Sequence, residues 1–127
     1  MLTLCAIDKG IFTDGQLRLA CMEGERLAGC IDLYNYDPIN LRAEVGIVVE
    51  KSLRHKGYGT AMLQELDCFC AKHYQLHQLY CDIAANNTAS IALFARCGYS
   101  QCGIMREWVA VGNKFIDTIR MQKIVKQ

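Results

Sequence analysis

The sequence predicts an α+β fold, a mixed α/β sandwich, in a single domain over residues 1–127. Six segments have the alternating or continuous apolar pattern of β-strands, and two segments place apolar residues at helical spacing. Strands come first and then alternate with helices, in the order β-β-β-α-β-α-β-β. We find no repeat, low-complexity tract or linker, so one domain is expected.

The first three predicted strands are expected to be antiparallel neighbours. They cover residues 16–22, 26–35 and 42–49. Glu23-Gly24-Glu25 suits a hairpin between the first two, and Asp37-Pro38-Ile39-Asn40 suits a looser connection to the third. A fourth strand is predicted at 78–84. The last two, 101–111 and 114–122, are joined by turn-forming residues around Gly112.

Two helices separate the later strands. The first is predicted at 58–73 and the second at 88–97. Gly98 suits the position just after the second helix, where a left-handed backbone often ends a helix. The apolar residues at helical spacing are Ala61, Leu63, Leu66, Phe69, Cys70, Ile91, Leu93 and Phe94.

Charge and hydropathy exclude several classes of protein. The chain has 14 basic and 13 acidic residues and a formal charge of +1, which argues against nucleic-acid or anionic-membrane binding by bulk electrostatics. No basic N-terminal region leads a long apolar stretch, and charges interrupt every apolar run well before the ~20 residues of a membrane span. We therefore expect a cytoplasmic protein without nucleic-acid or membrane partners.

The eight cysteines are expected to be buried free thiols, because they lie in apolar periodic segments and mostly lack paired spacing. Cys68 and Cys70 are the one close pair. Two residues apart on a helix, their side chains point to nearly opposite sides, so we expect no metal site.

A basic loop with two glycines stands between the third strand and the first helix. Residues 54–59 read Arg-His-Lys-Gly-Tyr-Gly, after the apolar run 45–49. Glycine lets the backbone approach a ligand closely, and the first turn of a helix offers unpaired N–H donors with partial positive charge. The loop predicts an anion site suited to a diphosphate. The alternative is a tight strand-to-helix turn with a solvated basic edge.

Two widespread phosphate loops do not fit this spacing. The P-loop requires Gly-Lys followed by Ser or Thr, whereas Lys56 precedes Gly57 here. The dinucleotide fingerprint requires a third glycine where Met62 stands. The pattern Arg/Gln-x-x-Gly-x-Gly/Ala instead resembles the acetyl-CoA-binding motif of the GNAT acetyltransferases, whose diphosphate arm lies on these amides.

A second segment strengthens the resemblance. Residues 87–99 run from Asn87 through Leu93-Phe94 to Gly98-Tyr99. This is similar to the second GNAT motif, Asn-x-x-Ala-x-x-Leu-Tyr-x-x-x-Gly-Phe/Tyr, which flanks the pantetheine and thiol end of CoA. With Ala43-Glu44 and the tail 113–121, the chain most resembles the spermidine and ribosomal-protein N-terminal acetyltransferase branch over about residues 16–121.

The resemblance implies acetyl-CoA as co-substrate and direct acetyl transfer to a primary amine. The amine is a polyamine, a protein N-terminus or another small amine, and a homo-oligomer is a further expectation. The residues that the resemblance places at the cofactor are Ile47, Val48, Val49, Arg54, His55, Lys56, Gly57, Tyr58, Gly59, Thr60, Asn87, Ser90 and Phe94.

The attacking amine must lose a proton, because an alkylammonium has a pKa near ~10.4. Glu44, on the cofactor strand, is the candidate base and also a candidate contact of a cationic acceptor. The alternative is a solvent-facing glutamate or a salt bridge with Arg42 or Arg106. Tyr34 is a second candidate acceptor contact, with edge packing as its alternative.

Two departures from the family pattern are present. Members usually begin with a strand and two helices, and residues 1–14 are at most a short remnant of them, so the fold is expected to be N-terminally shortened. Phe94 occupies the position of a tyrosine that protonates the departing thiolate, and phenylalanine has no proton to donate. Two rivals to an active enzyme follow: a CoA-binding module without catalysis, and a shortened domain completed by oligomerisation.

Overall fold

The computed structural model describes residues 1–6 and 15–125. One sheet of seven strands, in the order β1-β2-β3-β4-β5-β7-β6, is accompanied by two α-helices. The strands are β1 (Leu2–Ala6), β2 (Leu17–Glu23), β3 (Arg26–Asp37), β4 (Arg42–Val49), β5 (Gln78–Ala84), β6 (Ser100–Val111) and β7 (Lys114–Ile124). The helices are α1 (Tyr58–His73) and α2 (Thr88–Arg96), and a 3-10 turn, Lys51–Leu53, precedes α1.

The mixed fold and the order of the six predicted strands and two helices are confirmed. The structure adds β1, which lies in the segment expected to be only a remnant. It pairs antiparallel with β2, and its Leu2 and Leu4 pack against the core. The expectation for residues 7–14 lies outside the described residues.

The core lies between one face of the sheet and both helices. Alternate residues of β2 to β5 are buried on this face, as the period of two in a strand requires, and they form one cluster with the apolar stripe of α1. The largest fully buried side chains are Leu17, Leu19, Cys21, Ile31, Leu33, Met62, Leu63, Leu66, Cys70, Leu76 and Leu79.

The opposite face of the sheet is polar. Arg18 of β2 donates two hydrogen bonds to Asp32 of β3, at 2.7 and 3.0 Å. Arg120 of β7 does the same to Asp82 of β5, at 2.8 and 2.9 Å, and its guanidinium lies 4.8 Å from the centroid of the Tyr80 ring. Oppositely charged side chains on neighbouring strands therefore pair on the side of the sheet away from the helices. We call this side the open face.

The expectation of buried cysteines holds for only part of the set. All eight thiols are free, but Cys5, Cys68 and Cys102 are exposed. Cys5 and Cys102 lie on the two edge strands of the sheet, and Cys68 lies on the outer side of α1. Within residues 1–6 and 15–125, no cluster of three potential metal ligands occurs, and no helix is long and apolar enough to cross a bilayer.

Candidate active site

The parallel strands β4 and β5 separate partway along their length. They pair only through Arg42–Gln78, Ala43–Leu79 and Glu44–Tyr80, although β4 continues to Val49 and β5 to Ala84. Beyond Glu44, one side of β4 has main-chain N–H and C=O groups without a strand partner, and these groups require other hydrogen-bond partners.

A cleft of about 500 Å³ opens at this gap. Three elements build it: the end of β4, the loop that enters α1, and the outer face of α2. The lining residues are Ile47, Val48, Val49, Leu53, Arg54, His55, Gly57, Tyr58, Gly59, Thr60, Asn87, Ala89, Ser90, Leu93 and Arg96. Eleven of the thirteen residues predicted at the cofactor lie on this one surface.

The N-terminus of α1 faces the cleft without a side-chain cap. Its N-cap is Gly57, at φ 84° and ψ 2°, and no side chain accepts a hydrogen bond from the first turn at this position. His55 is also left-handed, at φ 64°. Such loops turn successive N–H groups toward one point, and the first helical N–H groups have no partner within the helix. The result is a concave set of donors suited to an anion.

The two glycines of the loop serve different purposes. A Cβ at Gly57 would meet nothing within 4 Å, so glycine is needed there for its positive φ. A Cβ at Gly59 would lie 3.0 Å from Cδ2 of Leu93. Gly59 therefore allows the first turn of α1 to pack closely against α2, which brings both helices to the cleft.

Basic side chains surround the anion site. Arg54, His55 and Arg96 line the cleft, and no lining residue is acidic. The Arg54 Nε donates to the carbonyl oxygen of Val49 at 3.2 Å, which ties the loop to the end of β4. Lys56 is exposed and is not a lining residue. The electrostatics of the cleft favour an anionic ligand.

Asn87 lies where α2 begins, at the edge of the cleft. It is the N-cap of α2, where its Oδ1 accepts a hydrogen bond from the Ser90 N–H at 3.2 Å, and it also lines the cleft. Ser90 lies one turn further along the same helix face.

Phe94 differs from its prediction as a cofactor contact. Its side chain is only 3% exposed, and its ring packs edge-on against Tyr99 with the centroids 4.9 Å apart. Successive helical residues point in directions about 100° apart, so Leu93 faces the cleft while Phe94 points into the core. Four lining residues were missed, namely Leu53, Ala89, Leu93 and Arg96, although the spacing of the last three on α2 with Ser90 marks a common helix face.

A second cavity, of about 640 Å³, lies on the open face and shares Ile47 and Val48 with the cleft. The predicted acceptor contact Tyr34 lines it. A Cβ at Gly46 would lie 3.4 Å from the Tyr34 ring and 3.7 Å from its hydroxyl oxygen. The Tyr34 ring therefore covers β4 at the point where β4 and β5 separate.

The Glu44 carboxylate lies beside Tyr34 on the same face. The Asn35 Nδ2 donates to Glu44 Oε1 at 2.9 Å. The Tyr34 hydroxyl lies near this carboxylate, and burial together with the charge of Glu44 raises the pKa of Tyr34 to about 12. The ion-pair partners of Arg42 and Arg106 are Asp37 and Asp117, so the salt bridges considered for Glu44 are made by other carboxylates.

Residues 5–99 match the Acetyltransferase (GNAT) family. The chain is 28% identical over 116 residues to the putative ribosomal N-acetyltransferase YdaF of Bacillus subtilis, covering 91% of this chain and 58% of that protein. It is 22% identical over 115 residues to the spermidine N(1)-acetyltransferase of Vibrio cholerae, covering 90% of this chain and 66% of that protein. The chain thus spans less than two thirds of either relative.

Solved structures share the fold. A Vibrio cholerae spermidine N-acetyltransferase in complex with CoA and spermine superposes with a TM-score of 0.86 at 18% identity, covering 98% of this chain and 95% of that one. A dodecameric structure of the Vibrio cholerae enzyme gives a TM-score of 0.82 at 21% identity, covering 90% and 67%. With the family match over residues 5–99, the conclusion is that the chain belongs to the acetyltransferase (GNAT) family.

Proposed function

We propose that this protein transfers the acetyl group of acetyl-CoA directly to a primary amine within a ternary complex. The observation that carries the proposal is the uncapped N-terminus of α1, which opens onto a basic cleft at the gap between β4 and β5. A diphosphate fits the donors at residues 55–60. The peptide-like amides of pantetheine fit the unpaired edge of β4 at Ile47–Val49, as a further strand would.

The two cavities give donor and acceptor separate approaches to one point. The cleft and the open-face cavity meet at Ile47 and Val48, beside the gap. Holding the amine and the thioester together there supplies much of the rate, since orientation replaces a bimolecular encounter. Unpaired N–H groups of β4 are candidates to stabilise the negative charge that develops on the thioester oxygen.

Glu44 is proposed as the base that takes the proton of the attacking amine. Its hydrogen-bond donor, the Asn35 amide, is neutral, and no ion pair among the described residues includes Glu44, so the carboxylate can attract an ammonium group. Tyr34 is proposed to contact the acceptor from the same cavity. The thiolate of CoA leaves without a tyrosine at position 94 and takes its proton from water, since a thiol pKa near ~8.5 makes thiolate a tolerable leaving group.

The acceptor is proposed to be a cationic alkylamine. One relative is a spermidine N(1)-acetyltransferase, and the other is a putative ribosomal N-acetyltransferase. Polyamine and peptide N-terminus are therefore the two substrate classes to compare. The eight free thiols fit a reducing compartment, and a cytoplasmic location is part of the proposal.

A CoA-binding module without catalysis is the second candidate, favoured by the buried Phe94 ring. One experiment separates the two: calorimetry with CoA, followed by thiol release from acetyl-CoA with polyamines and with peptides. The proposal expects binding and release. Binding without release for any amine supports the module, and absence of binding refutes both candidates.

Glu44→Gln tests the base, with Glu25→Gln as a control of the same chemistry at an exposed residue that lines neither cavity. We expect Glu44→Gln to lower turnover by about 100-fold or more, the order of a lost general base, without changing CoA affinity. Wild-type turnover in this variant would remove Glu44 from the mechanism.

A homo-oligomer is also proposed, with the β6–β7 hairpin as the contact. Trp108 is 65% exposed and Phe115 63% exposed, and β6 is an edge strand. Exposed aromatics beside an unpaired strand edge favour association with a second copy, and a fold relative is dodecameric. Sedimentation of Trp108→Ser with Phe115→Ser is expected to show a lower mass than wild type. An unchanged mass, or a wild-type monomer, would refute this contact.

A further inference from the structure

Asn35 lies at a bulge in β3 with a left-handed backbone. Pairing of β3 with β4 runs to Tyr34–Glu44 and resumes at Asp37–Arg42, so two residues of β3 oppose one of β4. The φ of Asn35 is 53°. Asparagine tolerates this region better than most residues, because its short polar side chain forms local hydrogen bonds.

The bulge changes the direction of the Asn35 side chain. In a regular strand, Tyr34 and Asn35 would point to opposite faces of the sheet. Here both side chains lie at the same carboxylate, that of Glu44: the Asn35 Nδ2 donates to Oε1 at 2.9 Å, and the Tyr34 hydroxyl lies near it. The bulge therefore turns the Asn35 side chain toward Glu44, and bulges that redirect one side chain are frequent beside active sites.

Glu44 is held differently from its neighbours on the open face. Asp32 and Asp82 each accept two hydrogen bonds from an arginine, which neutralises their charge. The hydrogen-bond donor to Glu44 is a neutral amide, and the Tyr34 phenol lies beside it. No ion pair among the described residues includes this carboxylate, and the Arg120 guanidinium, bound to Asp82, interacts with its charge only from a greater distance. A carboxylate that must attract an ammonium and accept its proton requires this kind of support.

We propose that Asn35 is a positioning residue, which holds the Glu44 carboxylate at the mouth of the β4–β5 gap for the amine of the acceptor. The inference rests on the proposed acetyl transfer. Asn35 acts through Glu44 and does not contact the thioester itself.

Two substitutions separate the hydrogen bond from the backbone. Asn35→Gly keeps the left-handed conformation and removes the donor, and Asn35→Asp keeps the size and replaces the donor with a like charge. Gln75→Gly is the control, because Gln75 is also left-handed, at φ 51°, and follows the end of α1 far from the gap.

We expect both Asn35 variants to lower kcat for the amine by about 10- to 100-fold, the effect of a misplaced catalytic group. CoA affinity is expected to stay within about twofold of wild type, since Asn35 does not line the cleft. Gln75→Gly is expected to keep wild-type kinetics. A purely structural role for Asn35 would instead give a lowered melting temperature with kcat unchanged, or near-wild-type activity for Asn35→Asp.

A second measurement keeps the inference testable apart from turnover. Relaxation of the Glu44 side chain by NMR is expected to show greater mobility in Asn35→Gly than in wild type. Unchanged kcat in both Asn35 variants, or unchanged Glu44 mobility, overturns the role of Asn35. Absence of turnover in the wild type with every amine refutes the proposed function instead, and the mobility result then decides on Asn35 alone.

Discussion

Replacing Gly57 by alanine tests whether the main chain at the start of α1 binds the diphosphate. Gly57 adopts φ 84°, and a Cβ there meets nothing within 4 Å, so the effect of alanine is confined to the backbone. A left-handed conformation costs an L-residue about 1–2 kcal/mol, partly offset because alanine also restricts the unfolded chain. The loop of the variant is therefore expected to relax away from positive φ in the absence of ligand.

Binding must then restore the left-handed loop. The same 1–2 kcal/mol, taken from the binding free energy, weakens CoA affinity by roughly 5- to 30-fold. Gly57→Val is expected to lose more, since a β-branched residue tolerates positive φ less than alanine does. Isothermal titration calorimetry with CoA measures both, and thermal melts record the accompanying loss of stability.

Gly112→Ala provides the matched control. Gly112 has φ 60° and equally open surroundings, but it lies in the β6–β7 turn. Alanine at either position is expected to lower the melting temperature by a similar few degrees, and only the change at Gly57 weakens CoA binding. If neither substitution at Gly57 weakened CoA binding relative to Gly112→Ala, the assignment of the α1 amides would be refuted.

Three further outcomes are expected. Arg96→Gln should weaken CoA binding by several-fold at low salt and by less at high salt, because Arg96 lines the cleft and salt screens its charge. Arg106→Gln, in the β6–β7 hairpin, should leave CoA binding unchanged. Equal effects of the two substitutions would remove Arg96 from the site. Phe94→Tyr should lower the free energy of unfolding by about 1–3 kcal/mol, because the added hydroxyl enters a buried site beside Tyr99. A rise in kcat of this variant without a change in CoA affinity would show that the missing acid limits turnover. A main-chain N–H of β6, followed by the Arg106 guanidinium, lowers the pKa of Asp117. The stability that Asp117 contributes is present above its unfolded pKa near ~3.9 and is lost as pH falls through the lower folded value, so urea melts of Asp117→Asn should depend less on pH in that range.

The fold could be predicted where periodicity is long. The pattern at 58–73 gave the bounds of α1, because a helix of that length repeats its apolar stripe several times. β1 was not predicted, since five residues at an edge carry little pattern and their pairing with β2 depends on tertiary contacts. The definition of residues 1–127 as one domain stays a prediction.

The candidate site could be predicted in its loop and less well elsewhere. The two glycines of the loop, Arg54 and His55 have local signatures, and the structure brings them together with residues 47–49 and Asn87. The bulge at Asn35 has no local sequence signature, because Tyr34-Asn35-Tyr36 has the pattern of an ordinary strand. The positive φ of Asn35 arises from the register of β3 with β4. Which side of α2 carries the cleft likewise depends on packing, which turns Phe94 inward and Arg96 outward.

The separation of β4 from β5 also has a mechanical consequence. Within the sheet, three residue pairs connect the four-stranded part, β1 to β4, with the three-stranded part, β5 to β7, and the common core beneath supplies the rest of the connection. Three residue pairs resist twisting of one part of the sheet against the other less than pairing along the full length of both strands would. A molecule that spanned the gap would restrict this twisting, and hydrogen exchange in both bordering strands would slow together even though only one of them donates to it.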